Sequence, residues 1–381
     1  MKVSARFWLV PDNGSPRENE WCAPAGRSLL AAVAELRGNC ENRFSKVREV
    51  LAASLDADDV GASVAVFVDG EPVVDLWGGY VDPARTVAWD RDTITTVWST
   101  TKTMTALCAL VLADRGELDL DAPVAAYWPE FAVAGKETTL VRHLLGHTAG
   151  LPDFAGPITV EDLFDWPAVT ARLAAQAPAW EPGTAGGYHS VTFGFLVGEV
   201  VRRVTGRSLG TFFAEEVAGP LGADFHIGLA AEHDHRVAPL IPDPRGDKPP
   251  GFLVGVSDSY SEAWRRAELP AVNGFGNARS VAAVQSVLAG RGGLLSAAGA
   301  ERVFEEQFHG EDRVLGARMR YGLGYRLEGR TCSWGGWGGS VVLVDAENRM
   351  VVAYVMNQVL WDGGYDRGLG VVMAAYDGIT G

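Results

Sequence analysis

Apolar and β-branched residues cluster in short runs near both ends of the chain. Residues 63–68 and 73–77 are separated by Asp69-Gly70, a pair that favours a two-residue turn between antiparallel strands. The same kind of pattern returns at residues 341–344 and 350–355, which flank a short polar turn. We therefore predict a β-hairpin near each end.

Between and beside these strands, apolar residues recur at the three- to four-residue spacing of amphipathic helices. The predicted helices are residues 43–55, a run after Ser99 that stops at Gly116, a segment opened by Thr159 and Asp162, residues 191–204 closed by Gly206, a segment capped by Ser208 that runs to Val217, and residues 368–376. Residues 239–251 carry five prolines and predict an irregular loop suited to the rim of an active site.

Because strands flank a helical middle, the first strands must pair with the last ones to make a single sheet. The predicted organisation is a discontinuous α/β sheet domain, residues 43–118 and 286–381, with an inserted mainly helical domain at residues 119–285. Residues 1–42 lack a comparable pattern and are predicted to be an N-terminal extension.

Composition narrows the range of functions. The chain has 381 residues, a net charge of −15 and 21% charged residues, which argues against nucleic acid and anionic membranes as partners. No apolar stretch of membrane-spanning length and no signal peptide is recognisable. The four cysteines lie far apart without a C-x-x-C motif. We therefore predict reduced cysteines and a cytoplasmic location.

A candidate nucleophile lies at the start of the apolar helix that ends at Gly116. Ser99 comes three residues before Lys102, so a helix would place both side chains on one face. A desolvated lysine has a lowered pKa and can take the proton of a serine hydroxyl. The same spacing arises by chance when an N-cap serine precedes an ordinary lysine. Taken alone, this stretch favours the N-cap.

Tyr188 is a second candidate, because it lies at a loop-to-helix junction in the sequence Gly187-Tyr188-His189-Ser190. A tyrosine at such a junction can project into a cleft and exchange a proton beside a lysine ammonium. The alternative is a half-buried tyrosine that only packs on a helix start, and Tyr188 by itself favours that alternative.

The third candidate is the segment 334–340, Trp-Gly-Gly-Trp-Gly-Gly-Ser, directly before a predicted strand. Glycines are typical of a strand edge that a ligand or another backbone approaches closely. A backbone N–H at this edge, paired with that of Ser99, would form an oxyanion hole. A glycine-rich turn with two core tryptophans is the alternative.

Together and in this order, the three motifs resemble the serine β-lactamase and penicillin-binding protein superfamily, in which S-x-x-K contains the nucleophile. The chain is most similar there to the class C β-lactamase-like esterases, known as family VIII carboxylesterases. The resemblance covers residues 45–380 and is carried by residues 98–102, 119–131, 143–152, 182–190 and 334–340. It implies a β-lactamase-like α/β (α+β) fold with an antiparallel sheet flanked by helices.

The resemblance also implies roles for individual residues. Ser99 would be acylated, Lys102 would be its base, and Tyr188 would pass the proton to the leaving alcohol and later help to activate water. The backbone N–H groups of Ser99 and Trp337 would form the oxyanion hole. No metal or other cofactor would be needed. The substrate-binding residues would be Trp334, Gly335, Gly336, His189 and Ser190.

The chain departs from the β-lactamase pattern in two motifs. Tyr188-His189-Ser190 replaces Tyr-x-Asn, and Trp334-Gly335-Gly336 replaces Lys-Thr-Gly, so an amide and a cation that would meet the substrate are lost. An apolar wall suits an uncharged ester. We predict a serine carboxylesterase that acts on short- to medium-chain small-molecule esters. The alternatives are an acyltransferase of the same fold, then a weak β-lactamase or D-amino peptidase, and last a non-catalytic binding protein.

Two further motifs are interpreted as structural. Residues 206–210 match G-x-S-x-G, but that nucleophile elbow follows a strand, and here a helix precedes Ser208, which we interpret as an N-cap. His143 and His147 have the spacing of two metal ligands but lack the glutamate of H-E-x-x-H. We predict no metal site, with His147 near a turn that borders the active site.

Overall fold

The computed structural model describes residues 35–290, 292–361 and 365–380. Predictions about residues 1–34, including Cys22, lie outside these ranges. The described strands are β1 Leu36–Cys40, β2 Gly61–Val68, β3 Glu71–Gly79, β4 Thr95–Thr96, β5 Phe275–Gly276, β6 Phe308–Glu311, β7 Arg318–Tyr321, β8 Arg326–Glu328, β9 Thr331–Gly335, β10 Val341–Asp345 and β11 Met350–Met356.

Most of the described helices lie between β4 and β6. They are α1 Ser45–Ala57, α2 Thr101–Asp114, α3 Val141–Leu145, α4 Trp166–Ala175, α5 Thr192–Thr205, α6 Leu209–Phe213, α7 Gly219–Leu221, α8 Glu262–Arg266, α9 Ala278–Gln285, α10 Ala297–Glu301 and α11 Tyr365–Thr380. Within the described ranges, no helix has the length and apolar character needed to cross a membrane.

An antiparallel sheet joins the two ends of the chain, as predicted. Over the described residues it has nine strands in the order β1-β3-β2-β11-β10-β9-β8-β7-β6, and β4 pairs separately with β5. Strand β2 pairs with β11, with Val66 opposite Val352, and this pairing joins β1–β3 to the later strands of the sheet. The first predicted hairpin is confirmed: Asp69 and Gly70 both have positive φ angles, 53° and 83°, as a tight hairpin turn requires.

The two faces of the sheet are covered by different helices because side chains alternate along each strand. On β2, Val64 and Val66 pack with α1 and α11, whereas Ala65 and Phe67 belong to the larger core that contains α2 and α9. Both sets are buried, so β2 and β11 form a strip that is apolar on both sides. This explains why their sequences show nearly continuous apolar runs.

The predicted helix boundaries agree with the structure where they rest on capping chemistry. Gly116 and Gly206 follow α2 and α5 with φ angles of 73° and 71°, the left-handed conformation that ends helices. The Ser208 hydroxyl accepts the N–H of Thr211 at 3.2 Å and caps α6. Thr159 and Asp162 exchange side-chain-to-backbone hydrogen bonds in the manner of a capping box, but they precede a 3₁₀ turn at Glu161–Phe164, and α4 begins at Trp166 with Asp165 as its N-cap.

Three sequence-based expectations need correction or refinement. Residues 36–40, assigned to the N-terminal extension, form the edge strand β1, which pairs with β3 through the backbone and therefore needs no alternating apolar pattern. The segment 334–340 lies directly before strand β10, as predicted, but its first two residues, Trp334 and Gly335, also belong to β9 and are in register with β10. Helix α9, placed by the prediction in the helical domain, packs on β2 and β11. The division into domains itself stays a prediction.

A buried ion pair connects the end of the chain to the sheet. The Asp59 carboxylate is fully buried and accepts hydrogen bonds from Ser54, Tyr354 and Arg367. Burial raises the pKa of Asp59, and the nearby Arg367 guanidinium opposes that rise. Arg367 also donates to the Gly338 carbonyl at 2.6 Å. A charged group thus ties α11 to the turn between β9 and β10.

Replacing Arg367 by methionine is expected to destabilise the protein by about 3–5 kcal/mol, because Asp59 would remain buried without its counter-charge. The matched control is Arg330→Met, which removes an exposed ion pair with Glu301 and should cost less than about 1 kcal/mol. Urea unfolding of both variants measures the difference. Equal losses of unfolding free energy in the two variants would contradict the expectation.

Candidate active site

The backbone before Ser99 is held in an unusual conformation. Trp98 has a φ of 47°, a left-handed conformation that costs a bulky residue about 1–3 kcal/mol and is maintained only by its surroundings. Here the Trp98 indole is buried against Trp264 and Trp337, with ring centroids 5.7 Å and 5.1 Å away. The Thr101 hydroxyl donates to the Trp98 carbonyl at 2.6 Å. This turn leads the chain directly into α2 and leaves Ser99 half-buried.

The structure brings together the three residues that the sequence singled out. Ser99 Oγ lies 3.0 Å from Lys102 Nζ and 2.7 Å from the Tyr188 hydroxyl. Lys102 Nζ also lies 4.9 Å from the centre of the Tyr188 ring. Ser99 and Lys102 come from the start of α2, and Tyr188 comes from the loop before α5. The serine oxygen is therefore held between an amine and a phenol.

Lys102 has an environment that favours its neutral form. Residues 101–112 of α2 are all buried, so the helix carries the amine into the interior, and Lys102 is fully buried. Loss of solvation lowers the pKa of Lys102 well below its usual value. Its other hydrogen bond goes to a neutral acceptor, the Ala271 carbonyl, at 3.0 Å. A neutral amine that donates to Ala271 keeps its lone pair for the Ser99 hydroxyl proton.

The Ala271 carbonyl is a hydrogen-bond partner of Lys102 that the sequence motifs did not reveal. Its loop is fixed by the buried Asn273 side chain, which donates to the carbonyls of Trp264 and Ala267 at 2.9 Å and 2.8 Å and accepts the Leu269 N–H at 2.9 Å. All three hydrogen bonds of the Asn273 side chain are made within residues 264–273. A backbone acceptor has no residue-type signature, so only the Asn-Gly pair at 273–274 could have pointed to a turn here.

The glycine-rich turn between β9 and β10 lies against the start of α2. The Ser340 hydroxyl is 2.9 Å from the Val97 carbonyl and 3.0 Å from the Thr100 hydroxyl. A Cβ at Gly336 would lie 2.2 Å from the Val97 carbonyl oxygen, so glycine is required for this approach. The turn therefore packs directly beside the residues that precede Ser99.

Two backbone N–H groups are available at this contact. In the part of the chain that the structure describes, neither the Ser99 N–H nor the Trp337 N–H donates a hydrogen bond to another protein group. Unpaired backbone donors are rare unless water or a ligand takes them. They are the two donors that the resemblance implies for an oxyanion hole, and that assignment stays a proposal.

Trp334 lies beside the phenol. Its indole is 5% exposed and lies 5.7 Å from the Tyr188 ring and 5.2 Å from the His147 ring, centroid to centroid. The side chain thus forms an aromatic wall next to the proposed acid–base residues. Trp337, on the following turn, is half-buried and contacts Phe252, which is 48% exposed at the rim.

The structure places His189 in the interior, which does not favour the contact with substrate that the sequence predicted, and that contact stays a prediction. His189 is fully buried, its Nε2 accepts the Leu151 N–H at 3.0 Å and its Nδ1 lies 2.7 Å from the Gly187 carbonyl. Burial lowers the pKa of His189 to about 4. Both ring nitrogens are thus used inside the protein. Ser190 is exposed, and its contact with substrate stays a prediction.

The two histidines at 143 and 147 have different hydrogen-bonding surroundings. His143 Nδ1 accepts the Leu140 N–H at 3.2 Å at the start of α3, while His147 lies buried beside Tyr188 at a ring distance of 5.3 Å. Among the described residues there is no group of three or more histidine, cysteine or acidic side chains placed to hold a metal ion.

Several known proteins are similar to this chain in sequence and fold. A family model described as Beta-lactamase matches residues 47–374. The chain is 33% identical over 375 residues to Esterase/beta-lactamase LipL of Mycobacterium tuberculosis, covering 88% of this chain and 84% of that protein. It resembles a crystal structure of a family VIII carboxylesterase with a TM-score of 0.86 and 41% identity, over 90% of this chain and all of that one. A penicillin-binding protein homologue from Caulobacter crescentus gives a TM-score of 0.82 and 36% identity, over 90% and 100% of the two chains.

The buried amine leads to a pH prediction. If Lys102 must be neutral to accept the Ser99 proton, kcat/KM for an uncharged ester should fall as pH decreases through the lowered pKa of Lys102 and level off above it. Because burial lowers that pKa, the plateau should begin well below the range in which ordinary lysines titrate. A pH profile with p-nitrophenyl butyrate tests this. A bell-shaped profile centred near pH 5 would contradict the role of Lys102.

Proposed function

The chain belongs to the β-lactamase family, as its motifs predicted, and on that premise we propose that it is a serine carboxylesterase. The observation that carries the proposal is the position of Ser99 Oγ between the Lys102 amine and the Tyr188 hydroxyl, at 3.0 Å and 2.7 Å. The named relatives support the reaction class, since one is an esterase/beta-lactamase and another a family VIII carboxylesterase.

In the first half of the proposed reaction, Ser99 becomes acylated. Neutral Lys102 takes the hydroxyl proton as Ser99 Oγ forms a bond to the ester carbonyl carbon. The negative charge that develops on the carbonyl oxygen is stabilised by the N–H groups of Ser99 and Trp337. The C–O bond to the alcohol then breaks, and Tyr188 gives that oxygen a proton, which Lys102 replaces.

In the second half, water takes the position of the departed alcohol. Tyr188 accepts the water proton and passes its own proton to Lys102 as the water oxygen attacks the acyl carbon. Lys102 then returns a proton to Ser99 Oγ as the bond between that oxygen and the acyl carbon breaks. No group outside the chain has to supply or remove an electron. The distance of 2.7 Å between Ser99 Oγ and the Tyr188 hydroxyl favours Tyr188 as the group through which the proton moves.

The proposed substrate class follows from the charge of the side chains near Ser99. Lys102 and His147, two groups that could be cationic, both have pKa values well below the usual range because burial disfavours their charged forms. Trp334, Trp337 and Phe252 add aromatic surface. Such surroundings bind an apolar acyl or alcohol group better than a carboxylate. We propose uncharged esters of short to medium acyl length as substrates.

Ser99→Ala should lower kcat for p-nitrophenyl acetate and butyrate by about 10⁴-fold or more, because the proposed acyl-enzyme cannot form without the Ser99 hydroxyl. Ser208→Ala is the matched control, since it removes a serine from a nucleophile-like motif that the structure shows to be a helix cap. The control should lose about 1 kcal/mol of stability and keep its activity. A fluorophosphonate probe should label the control and the wild type but not Ser99→Ala. Equal esterase rates in wild type and Ser99→Ala would refute the proposal.

β-Lactam hydrolysis is a second candidate, favoured by the relative named esterase/beta-lactamase. Against it stands Trp334, which occupies the position where the β-lactamase motif has lysine and which packs against neutral aromatic rings. A charge-assisted contact is worth about 1.5–3 kcal/mol, so its loss should weaken recognition of a carboxylate by about ten- to a hundredfold.

We therefore expect kcat/KM for nitrocefin to be at least about tenfold below that for p-nitrophenyl butyrate. A second pair of substrates isolates the charge: p-nitrophenyl butyrate against the mono-p-nitrophenyl ester of glutaric acid, which has the same leaving group and an added carboxylate. The charged ester should react more slowly through a higher KM. Comparable kcat/KM values for the two esters would show that the wall does not select against charge.

A further inference from the structure

His147 occupies a conformation that has to be held in place by its neighbours. It follows α3 with a φ of 57°, in the left-handed region that is uncommon for residues other than glycine and is adopted most often by asparagine, aspartate and histidine among them. It is fully buried, and its ring packs against Trp334 at an interplanar angle of 24° and against Tyr321 at a centroid distance of 5.0 Å. A strained and buried polar residue beside an active site calls for a functional explanation.

The hydrogen bonds of His147 enclose the residue that contacts Ser99. The His147 carbonyl accepts the Gly187 N–H at 3.0 Å, and the His147 ring nitrogen Nδ1 accepts the His189 N–H at 3.1 Å. These are the backbone amides on either side of Tyr188. The left-handed backbone of His147 presents its carbonyl and its ring to the same short segment, so one residue fixes both ends of the peptide that carries the phenol.

A second tie keeps this segment in register. The His189 ring accepts the Leu151 N–H at 3.0 Å, and the Thr192 hydroxyl donates to the Leu151 carbonyl at 2.7 Å. Several hydrogen bonds therefore join residues 147–151 to residues 187–192, the segment that contains Tyr188. Of these contacts, only those of His147 lie directly on both sides of Tyr188.

We propose that His147 is a positioning residue, which holds Tyr188 where its hydroxyl can protonate the leaving alcohol. The proposal rests on the proposed role of Tyr188 as the proton donor. Nδ1 accepts a hydrogen bond only while it is unprotonated. Burial, together with the nearby His189 and Lys102, lowers the pKa of His147 well below its usual value, so the acceptor is preserved.

Two substitutions of similar polarity separate this role from general packing. Asparagine tolerates a positive φ, and its side-chain oxygen lies close to where Nδ1 lies, whereas the glutamine amide reaches one carbon further and misses the His189 N–H. His147→Asn should therefore keep the contact that His147→Gln loses. Tyr188→Phe serves as the reference for complete loss of the phenol proton. Thermal unfolding of each variant records its stability.

The decisive measurement compares two butyrate esters with different leaving groups. p-Nitrophenolate departs without a proton, but ethanol needs one, so a misplaced Tyr188 should affect ethyl butyrate selectively. The comparison uses kcat/KM, which reports formation of the acyl-enzyme and excludes the deacylation step that both esters share. We expect His147→Gln to lower kcat/KM for ethyl butyrate by about tenfold or more, within the range of general acid catalysis. Its loss on p-nitrophenyl butyrate should be under about threefold, and His147→Asn should resemble the wild type on both esters.

Each outcome decides between structure and positioning. Equal losses on both esters in His147→Gln, or an ethyl butyrate defect in His147→Asn as large as that of Tyr188→Phe, would overturn the inference while the proposed esterase mechanism stands. If Tyr188→Phe itself shows no dependence on the leaving group, the role of Tyr188 falls and the inference falls with it. If His147→Gln does not fold, the asparagine variant decides alone: wild-type ester selectivity supports the inference and selective loss overturns it.

Discussion

Burial of the Lys102 amine is the constraint on which the active site depends. Residues 101–112 of α2 are all buried, so the Lys102 side chain is kept away from solvent. Desolvation alone lowers the pKa of Lys102, and the hydrogen bond to the neutral Ala271 carbonyl leaves that effect uncompensated. An acidic partner in place of Ala271 would stabilise the ammonium form and remove the base. The neutral loop at 269–273 is therefore as much a part of the chemistry as the lysine.

Such a site is costly for folding, and the surrounding structure compensates for it. Trp98 and His147 both adopt left-handed backbone conformations, and both are held by aromatic packing on several sides. The buried pair of Asp59 and Arg367 reaches from α1 and α11 to the Gly338 carbonyl. The turn that contains Trp337 is thereby held in place by Arg367 of α11. For the proposed oxyanion hole this rigidity provides preorganisation, because its donors would have to be in place before charge develops.

The sequence predicted best those features that depend on local chemistry. The hairpin turn at Asp69-Gly70, the helix ends at Gly116 and Gly206 and the cap at Ser208 all follow from the conformations that individual residues prefer. It predicted poorly what depends on partners distant in the chain. Strand β1 exists because β3 offers it a backbone edge, and His189 faces inward because Leu151 and Gly187 take both of its ring nitrogens. The three chemical motifs were found because their residue types are specific, whereas the Ala271 carbonyl has no such identity.

Trp334 connects substrate preference to the protonation state of the base. Its indole lies beside Tyr188 and His147, and Lys102 lies on the Tyr188 ring. A cation at this position would attract a substrate carboxylate, but it would also lower the pKa of Lys102 further and require counter-charges to remain buried. With tryptophan there, burial alone sets the pKa of Lys102. Tryptophan at position 334 thus leaves Lys102 neutral without added charges. The same aromatic side chain would favour the uncharged ester that we propose as substrate.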